Sequence, residues 1–302
     1  MPHTIFASNS SQMKKILVPT DFSECAEHAA EVAANIAKRT GARLYMLHIL
    51  DIPVYDRNDS FQSYADAAEG IFWMKLVRKR FGELFAKPFM KGVNAVEVIQ
   101  YDGVYDTIAS QAKEHEMDLI VMGSHGDSGA HELFIGSNTE KVVRLAECPV
   151  LTVKNRHENF DLKNIIFASN FYGEAKDNFT KLFRFIKLFD AHVHLVKVIT
   201  PDHFESTEQT NRLIQDFRDE WKLPNCSVHV INETTVNAGI SFAAELAEAD
   251  AIAMETHGRT GLSRFFYGSQ TESVVNHAEV PVLSVKIEEY KSDFSPFSRL
   301  VS

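Results

Sequence analysis

The chain has 302 residues and carries 31 Lys and Arg against 41 Asp and Glu, a formal charge of −10. Such a length accommodates two domains with their own cores, while the acid excess excludes a non-specific nucleic-acid binder, which needs surplus cations to neutralise phosphates. Three cysteines, Cys25, Cys148 and Cys226, stand far apart with no CxxC pair, which argues against a disulfide framework or a zinc site and fits a reducing cytoplasm.

The opening "MPHTIFASNSSQ" lacks a basic segment followed by an apolar run, and no apolar stretch reaches membrane-spanning length. Residues 1–12 therefore read as a polar tail, and a cytoplasmic protein with no membrane partner is expected. Strands are predicted at Lys15–Pro19, Arg43–Leu50, Val93–Gln100, Leu119–Gly123 and Val150–Lys154, compact apolar runs of the kind that parallel strands covered on both faces need. An Ala-rich helix is predicted from Glu24 to Arg39, closing at Gly41 in a left-handed position. "IFWMKLVRKRFGELF" is amphipathic, and "GSNTEKVVRLAE" opens with good N-terminal helix residues.

The pattern then returns. "KKILVPTDFSECAEHAAEVAANIAKRTGARLYMLHIL" (Lys14 to Leu50) is matched by "KNIIFASNFYGEAKDNFTKLFRFIKLFDAHVHLVKVI" (Lys163 to Ile199), "DLIVMGSHG" by "DAIAMETHG", and "CPVLTVK" by "VPVLSVK", in the same order. Strand–helix alternation with short connections predicts a doubly wound α/β domain with a parallel sheet in each half. The expected domains are 13–155 and 163–287, joined by the polar "NRHENFDLK", with 1–12 and 288–302 as tails.

The loop after the fourth strand carries the chemistry. Gly123-x2-Gly126-x9-Gly136-Ser137 runs from a strand end to a helix start. Glycines let backbone N–H groups turn inward, and a helix N-terminus adds partial positive charge, so the spacing describes an anion cradle. Ser137 either donates to a phosphate oxygen or caps the helix. The loop is neither a Walker P-loop nor GxGxxG.

"ILVPTD", "DLIVMGSHG", the G-x2-G-x9-G-[ST] spacing and "CPVLTV", taken together, resemble the universal stress protein family, and the chain is similar to its tandem-domain members from Met13 to Ile287. The resemblance implies two Rossmann-like, adenine nucleotide alpha hydrolase-like domains of five parallel strands. It also implies pairing through the last strands, here between the two "PVL[TS]VK" copies as an intramolecular pseudo-dimer. Carried onto this chain, it places Asp21 near an adenosine with Pro19 and Thr20 beside it, and the Ile49 backbone against the adenine edge. Met122, Gly123, Gly126, Gly136 and Ser137 would hold ribose and phosphates. The implied cofactor is ATP, or ADP or AMP, with Mg²⁺ offsetting the acids Asp127 and Glu132 in the loop. The alternative for Asp21 is helix capping, since Asp21-x-x-Glu24 fits a capping box.

The second half departs from this pattern. Asp21 is matched by Asn170, Pro19 by Ala168 and Gly123 by Glu255, while Gly258, Gly268 and Ser269 remain. A carboxylate at about 4 Å from a phosphate, at an effective dielectric near 20, repels it by on the order of 4 kcal/mol. Arg259 and Arg264 act in the opposite sense. The second half is thus expected to have lost ordinary ATP binding and to be structural or regulatory.

Cys25, in the first turn of a helix, reads either as a small buried residue or as a redox-sensing thiol. His125 and His257 either touch phosphate or hold their loops. Ser124 and His125 are not expected to act as a nucleophile–base pair, because loop neighbours rarely face one another. The thirteen histidines show no metal-ligand spacing, and "NFTKLFRFIKLF" reads as core. The expected function is a nucleotide-binding stress-response protein with protein partners, able to form a homodimer, with no catalytic residue and at most slow ATP hydrolysis. The alternatives are a pseudo-dimeric interaction scaffold that binds no nucleotide, and a nucleotide transferase or hydrolase on the same fold.

Overall fold

The computed structural model describes residues 13–50, 60–101, 104–125, 136–172, 174–223, 225–257, 273–275 and 278–287. The first half runs β1 (Lys15–Pro19), α1 (Glu24–Thr40), β2 (Arg43–Leu50), α2 (Ser60–Phe85), β3 (Ala95–Tyr101), α3 (Val104–Glu114), β4 (Leu119–Gly123), α4 (Ser137–Leu145) and β5 (Val150–Val153). The second half repeats the order as β6 (Asn164–Ala168), α5 (Glu174–Phe189), β7 (His192–Ile199), α6 (Thr207–Trp221), β8 (Cys226–Asn232), α7 (Val236–Leu246), β9 (Ala251–His257) and β10 (Val282–Ile287). The first, second and fourth strands fall where their apolar runs place them. The third begins at Ala95 rather than Val93, because Gly92 turns the chain in a left-handed conformation (φ 80°) just before it.

Among the described residues all strands join one sheet of ten, in the order β3-β2-β1-β4-β5-β10-β9-β6-β7-β8. Every pairing is parallel except the central one, where β5 and β10 run antiparallel with Leu151 opposite Leu283. The two last strands therefore pair inside one chain, as the family resemblance implies. One face of the sheet carries an apolar core shared by both halves, and the other face carries a separate core in each half. Phe179 and Phe185 of the Phe-rich helix α5 are buried in the shared core, and Phe179 packs edge-on to Phe217 of α6 at 4.8 Å. Among the described residues no helix is long and apolar enough to cross a membrane.

Helix α1 lies close on the sheet because its inward stripe is alanine: Ala29, Ala30, Ala33 and Ala34 are all fully buried. Its N-cap is Ser23, whose Oγ accepts from the Ala26 amide at 3.2 Å. The capping box on Asp21 is thus corrected. The Asp21 carboxylate instead accepts from the Ser23 amide at 3.0 Å, just upstream of the helix. The C-terminal end closes at left-handed Gly41 (φ 75°), whose N–H donates to the Ala37 carbonyl.

Candidate functional site

The chain order reverses around β1, which lies between β2 and β4. At such a switch point the loops leaving neighbouring strands part, and a crevice opens at the carboxyl ends. In the first half this brings the β1–α1 loop, the end of β2 and the β4–α4 loop together.

The β1–α1 loop is held on both sides. The Thr20 amide donates to the Leu47 carbonyl at 2.8 Å, and His48 Nδ1 donates to the Thr20 carbonyl at 2.8 Å. Thr20 Oγ1 accepts from the Phe22 amide at 3.0 Å, which folds Phe22 into a left-handed conformation (φ 63°). The Phe22 ring then packs against His48 at 4.8 Å and Phe81 at 5.1 Å. Burial pushes the His48 imidazole below its ordinary value. The Thr20 carbonyl and the Asp21 charge pull it back up, and Arg80 adds to the lowering. Asp21 is exposed at the rim, and Thr20 is buried beneath it.

Backbone groups alternate in direction along a strand, so Ile49 faces the same side as Leu47. Ladder pairing between β1 and β2 ends at Pro19 and Leu47. The Ile49 amide and carbonyl accordingly point past the end of β1, into the crevice.

On the far side, Met122 is buried and Gly123 closes β4 against the first turn of α1. A Cβ on Gly123 would lie 2.9 Å from Cys25 Sγ and 3.2 Å from the Cys25 carbonyl group, so this close approach requires glycine. Cys25 is buried, with its thiol donating to the Val153 carbonyl at 3.3 Å, in accord with the small-residue reading. The two ends of the glycine loop are pinned together: the Gly136 amide donates to the Ser124 carbonyl at 2.8 Å, and Thr139 Oγ1 donates to the Gly123 carbonyl at 3.0 Å. Gly136 is the N-cap of α4 and Ser137 its exposed first residue, so the capping role for Ser137 is corrected and its hydroxyl stands at the helix start. Gly126, Asp127 and Glu132 lie outside the described residues, as do Arg259, Arg264, Gly258, Gly268 and Ser269 of the second half.

Ser124 and His125 meet after all, with Oγ 3.0 Å from Nδ1, because the bend after β4 turns both inward. Ser124 is buried, and Cys25 Sγ lies 3.9 Å from each of them. These contacts lock the start of the loop. Among the described residues no group of three His, Cys, Asp or Glu side chains is arranged to hold a metal ion.

The corresponding place in the second half is built differently. Lys197, at the position of His48, is buried, and its ammonium donates to the Asn170 carbonyl at 2.7 Å. It also pairs with Glu205 at 2.9 Å and lies 4.9 Å over the Tyr172 ring. Tyr172 in turn donates to Glu205 at 3.0 Å, and Thr210 and Gln209 complete the network. Glu255 is buried rather than directed at open space, and its carboxylate accepts from Ser169 Oγ at 2.9 Å. The second half thus holds a charge pair where the first half has His48, and a carboxylate where it has Gly123. His48, Thr139 and this Lys197–Glu205 network escape a motif reading. The one available signal is a polar residue at the same position, second before the last apolar residue of each strand, His48 and Lys197.

Comparison with known proteins agrees with the repeat. A sequence model described as the universal stress protein family matches residues 13–154 and again 162–286. Universal stress protein MJ0531 of Methanocaldococcus jannaschii is 29% identical over 160 residues, covering 50% of this chain and 88% of that protein. Universal stress protein MJ0577 of the same organism is 31% identical over 163 residues, covering 49% of this chain and 99% of its own. A crystal structure of a universal stress protein from Archaeoglobus fulgidus superposes with a TM-score of 0.66 over 92% of this chain and 98% of its own. At 20% identity that likeness speaks to the fold.

Proposed function

The chain belongs to the universal stress protein family, twice over along its length, and from that premise we propose that its first half binds one adenine nucleotide while its second half serves as a structural or regulatory partner. The adenosine lies over the carboxyl ends of β1 and β2, with Pro19, Thr20 and Asp21 on one side and the Ile49 backbone meeting the adenine edge. Met122, Gly123, Gly126, Gly136 and Ser137 take the ribose and phosphates. Their chemistry suits an anion, since amide N–H groups, a hydroxyl and a helix start are donors that match phosphate oxygens. ATP, ADP and AMP are the candidate ligands, with Mg²⁺ beside the acids of the loop.

The observation that carries this reading is the contrast between the two crevices. In the first half Gly123 ends β4 with no side chain, whereas in the second half Glu255 puts a buried carboxylate at the matching position. On this reading the protein is a binder whose ATP hydrolysis, if assayed, is slow. The test is the heat-released supernatant of purified protein, read by ultraviolet spectrum and chromatography, together with thermal shift on adding ATP, ADP or AMP with Mg²⁺. A released nucleotide or a shift supports the reading. Silence in both assays replaces it with a pseudo-dimeric interaction scaffold.

A further inference from the structure

The outer end of the second half carries three histidines that the nucleotide reading leaves unused. His192 and His194 point to the same face of β7, and Ser227 and His229 stand beside them on β8, the last strand of the sheet, which among the described residues pairs with β7 alone. The rings are close: His192 to His194 is 4.6 Å between centroids, and His194 to His229 is 5.3 Å. In the first half the matching positions hold Arg43, Tyr45, Val96 and Val98, so the histidines belong to the second half alone.

With the Asn164 and Asn225 Oδ1 atoms as acceptors, the hydrogen bonds assign the ring protons. His194 Nε2 is 3.3 Å from Asn164 Oδ1, an acceptor, so that nitrogen donates. A neutral His194 therefore has a bare Nδ1, which accepts from His229 Nε2 at 3.1 Å. His192 repeats the arrangement: Nδ1 donates to Asn225 Oδ1, and Nε2 accepts from Ser227 Oγ at 2.7 Å. Each ring spends one lone pair on a bond from β8. A proton added to His194 Nδ1 removes that lone pair and leaves two N–H groups facing each other.

We propose that His192, His194 and His229 form an acid-sensitive latch that ties β8 to β7 near neutral pH and releases this edge of the second domain as pH falls. The charged groups on the flanking elements do not oppose it. Asp250, at the start of β9, is turned to the amides of Lys163 and Asn164, and Glu245 and Glu248 are exposed at the end of α7. Burial, followed by the charges of His192 and His229, holds His194 down to about 4, and burial with His192 also lowers His229. A freed strand takes up protons near the ordinary histidine value of about 6.5, before the paired strand does. The latch therefore weakens as pH drops from about 6.5 toward about 4.

Hydrogen exchange of the full chain at about pH 7.5 and about pH 5, corrected for intrinsic rates, reads this directly, with β3 of the first half as internal reference. The protection of residues 226–232 is expected to fall at least about tenfold more than that of residues 95–101. The double change His194→Tyr with His229→Val, which installs the first half's residues, should abolish the excess. His194→Gln with His229→Gln should do the same should the first variant fold poorly. A β8 that responds like β3 in the unaltered chain, or an excess loss that survives in the folded variants, overturns the latch.

Discussion

The Lys197 ammonium lies 2.9 Å from the Glu205 carboxylate, inside the place where the first half keeps His48 against the Thr20 carbonyl. The same repeat position thus serves a hydrogen bond in one half and a buried charge pair in the other. Removing the lysine leaves the Glu205 carboxylate its bonds from Tyr172 and Thr210 but takes away its counter-charge. Lys197→Met is expected to lower unfolding free energy by about 3–5 kcal/mol, measured in urea. Lys197→Met with Glu205→Gln should cost clearly less than Lys197→Met alone. A double change that costs the sum of Lys197→Met and Glu205→Gln, each measured alone, would show that the pair carries no coupling.

Gly123 and Cys25 make a second close relationship, since a Cβ at residue 123 would approach the sulfur to 2.9 Å. Gly123→Ala should destabilise the chain by about 1–3 kcal/mol, as overpacking does. Adding Cys25→Ala should recover part of that loss and not all of it, because the Cys25 carbonyl group also lies 3.2 Å away. Full recovery, or none, would contradict this geometry.

These two relationships differ in how far the sequence reveals them. The limits of β1, β2 and β4 follow from short apolar runs, and the glycine at 123 from its place at a strand end. The cap of α1 was legible as a region but not as a residue, since Asp21 and Ser23 are both good caps. What decides between them is Phe22, which takes a left-handed conformation that phenylalanine rarely adopts, and no local pattern announces it. The Lys197–Glu205 pair is nonlocal: it joins the end of β7 to the turn before α6, and only the fold brings them together. Gly126, on which the phosphate cradle leans, and Arg259 and Arg264 lie outside the described residues, so for them the sequence remains the source.

Asp21 is exposed, so its role separates cleanly from stability. Asp21→Ala should weaken nucleotide binding by about 10- to 100-fold, the worth of one charge-assisted hydrogen bond. The folded state should lose no more than about 1 kcal/mol, from the bond to the Ser23 amide. Titration calorimetry alongside urea unfolding reads both quantities. An intact affinity would remove Asp21 from the site.

His48 predicts a pH dependence of known sign. Burial lowers its proton affinity in the folded chain, so the unfolded chain protonates first on acidification. Its contribution is full above about pH 6.5 and declines as pH falls below that value. His48→Gln keeps a donor for the Thr20 carbonyl and removes the titration. The stability of this variant relative to the unaltered chain should therefore rise between about pH 7 and about pH 5. A relative stability that stays constant across that range would deny His48 this role.

One nucleotide is expected to bind per chain, in the first half. Binding stoichiometry measured by calorimetry on nucleotide-stripped protein, for the unaltered chain and for Gly126→Leu and Gly258→Leu, tests it most directly. One site is expected in the unaltered chain, none after Gly126→Leu, and one after Gly258→Leu. Two sites in the unaltered chain, or equal losses from the two substitutions, would contradict it.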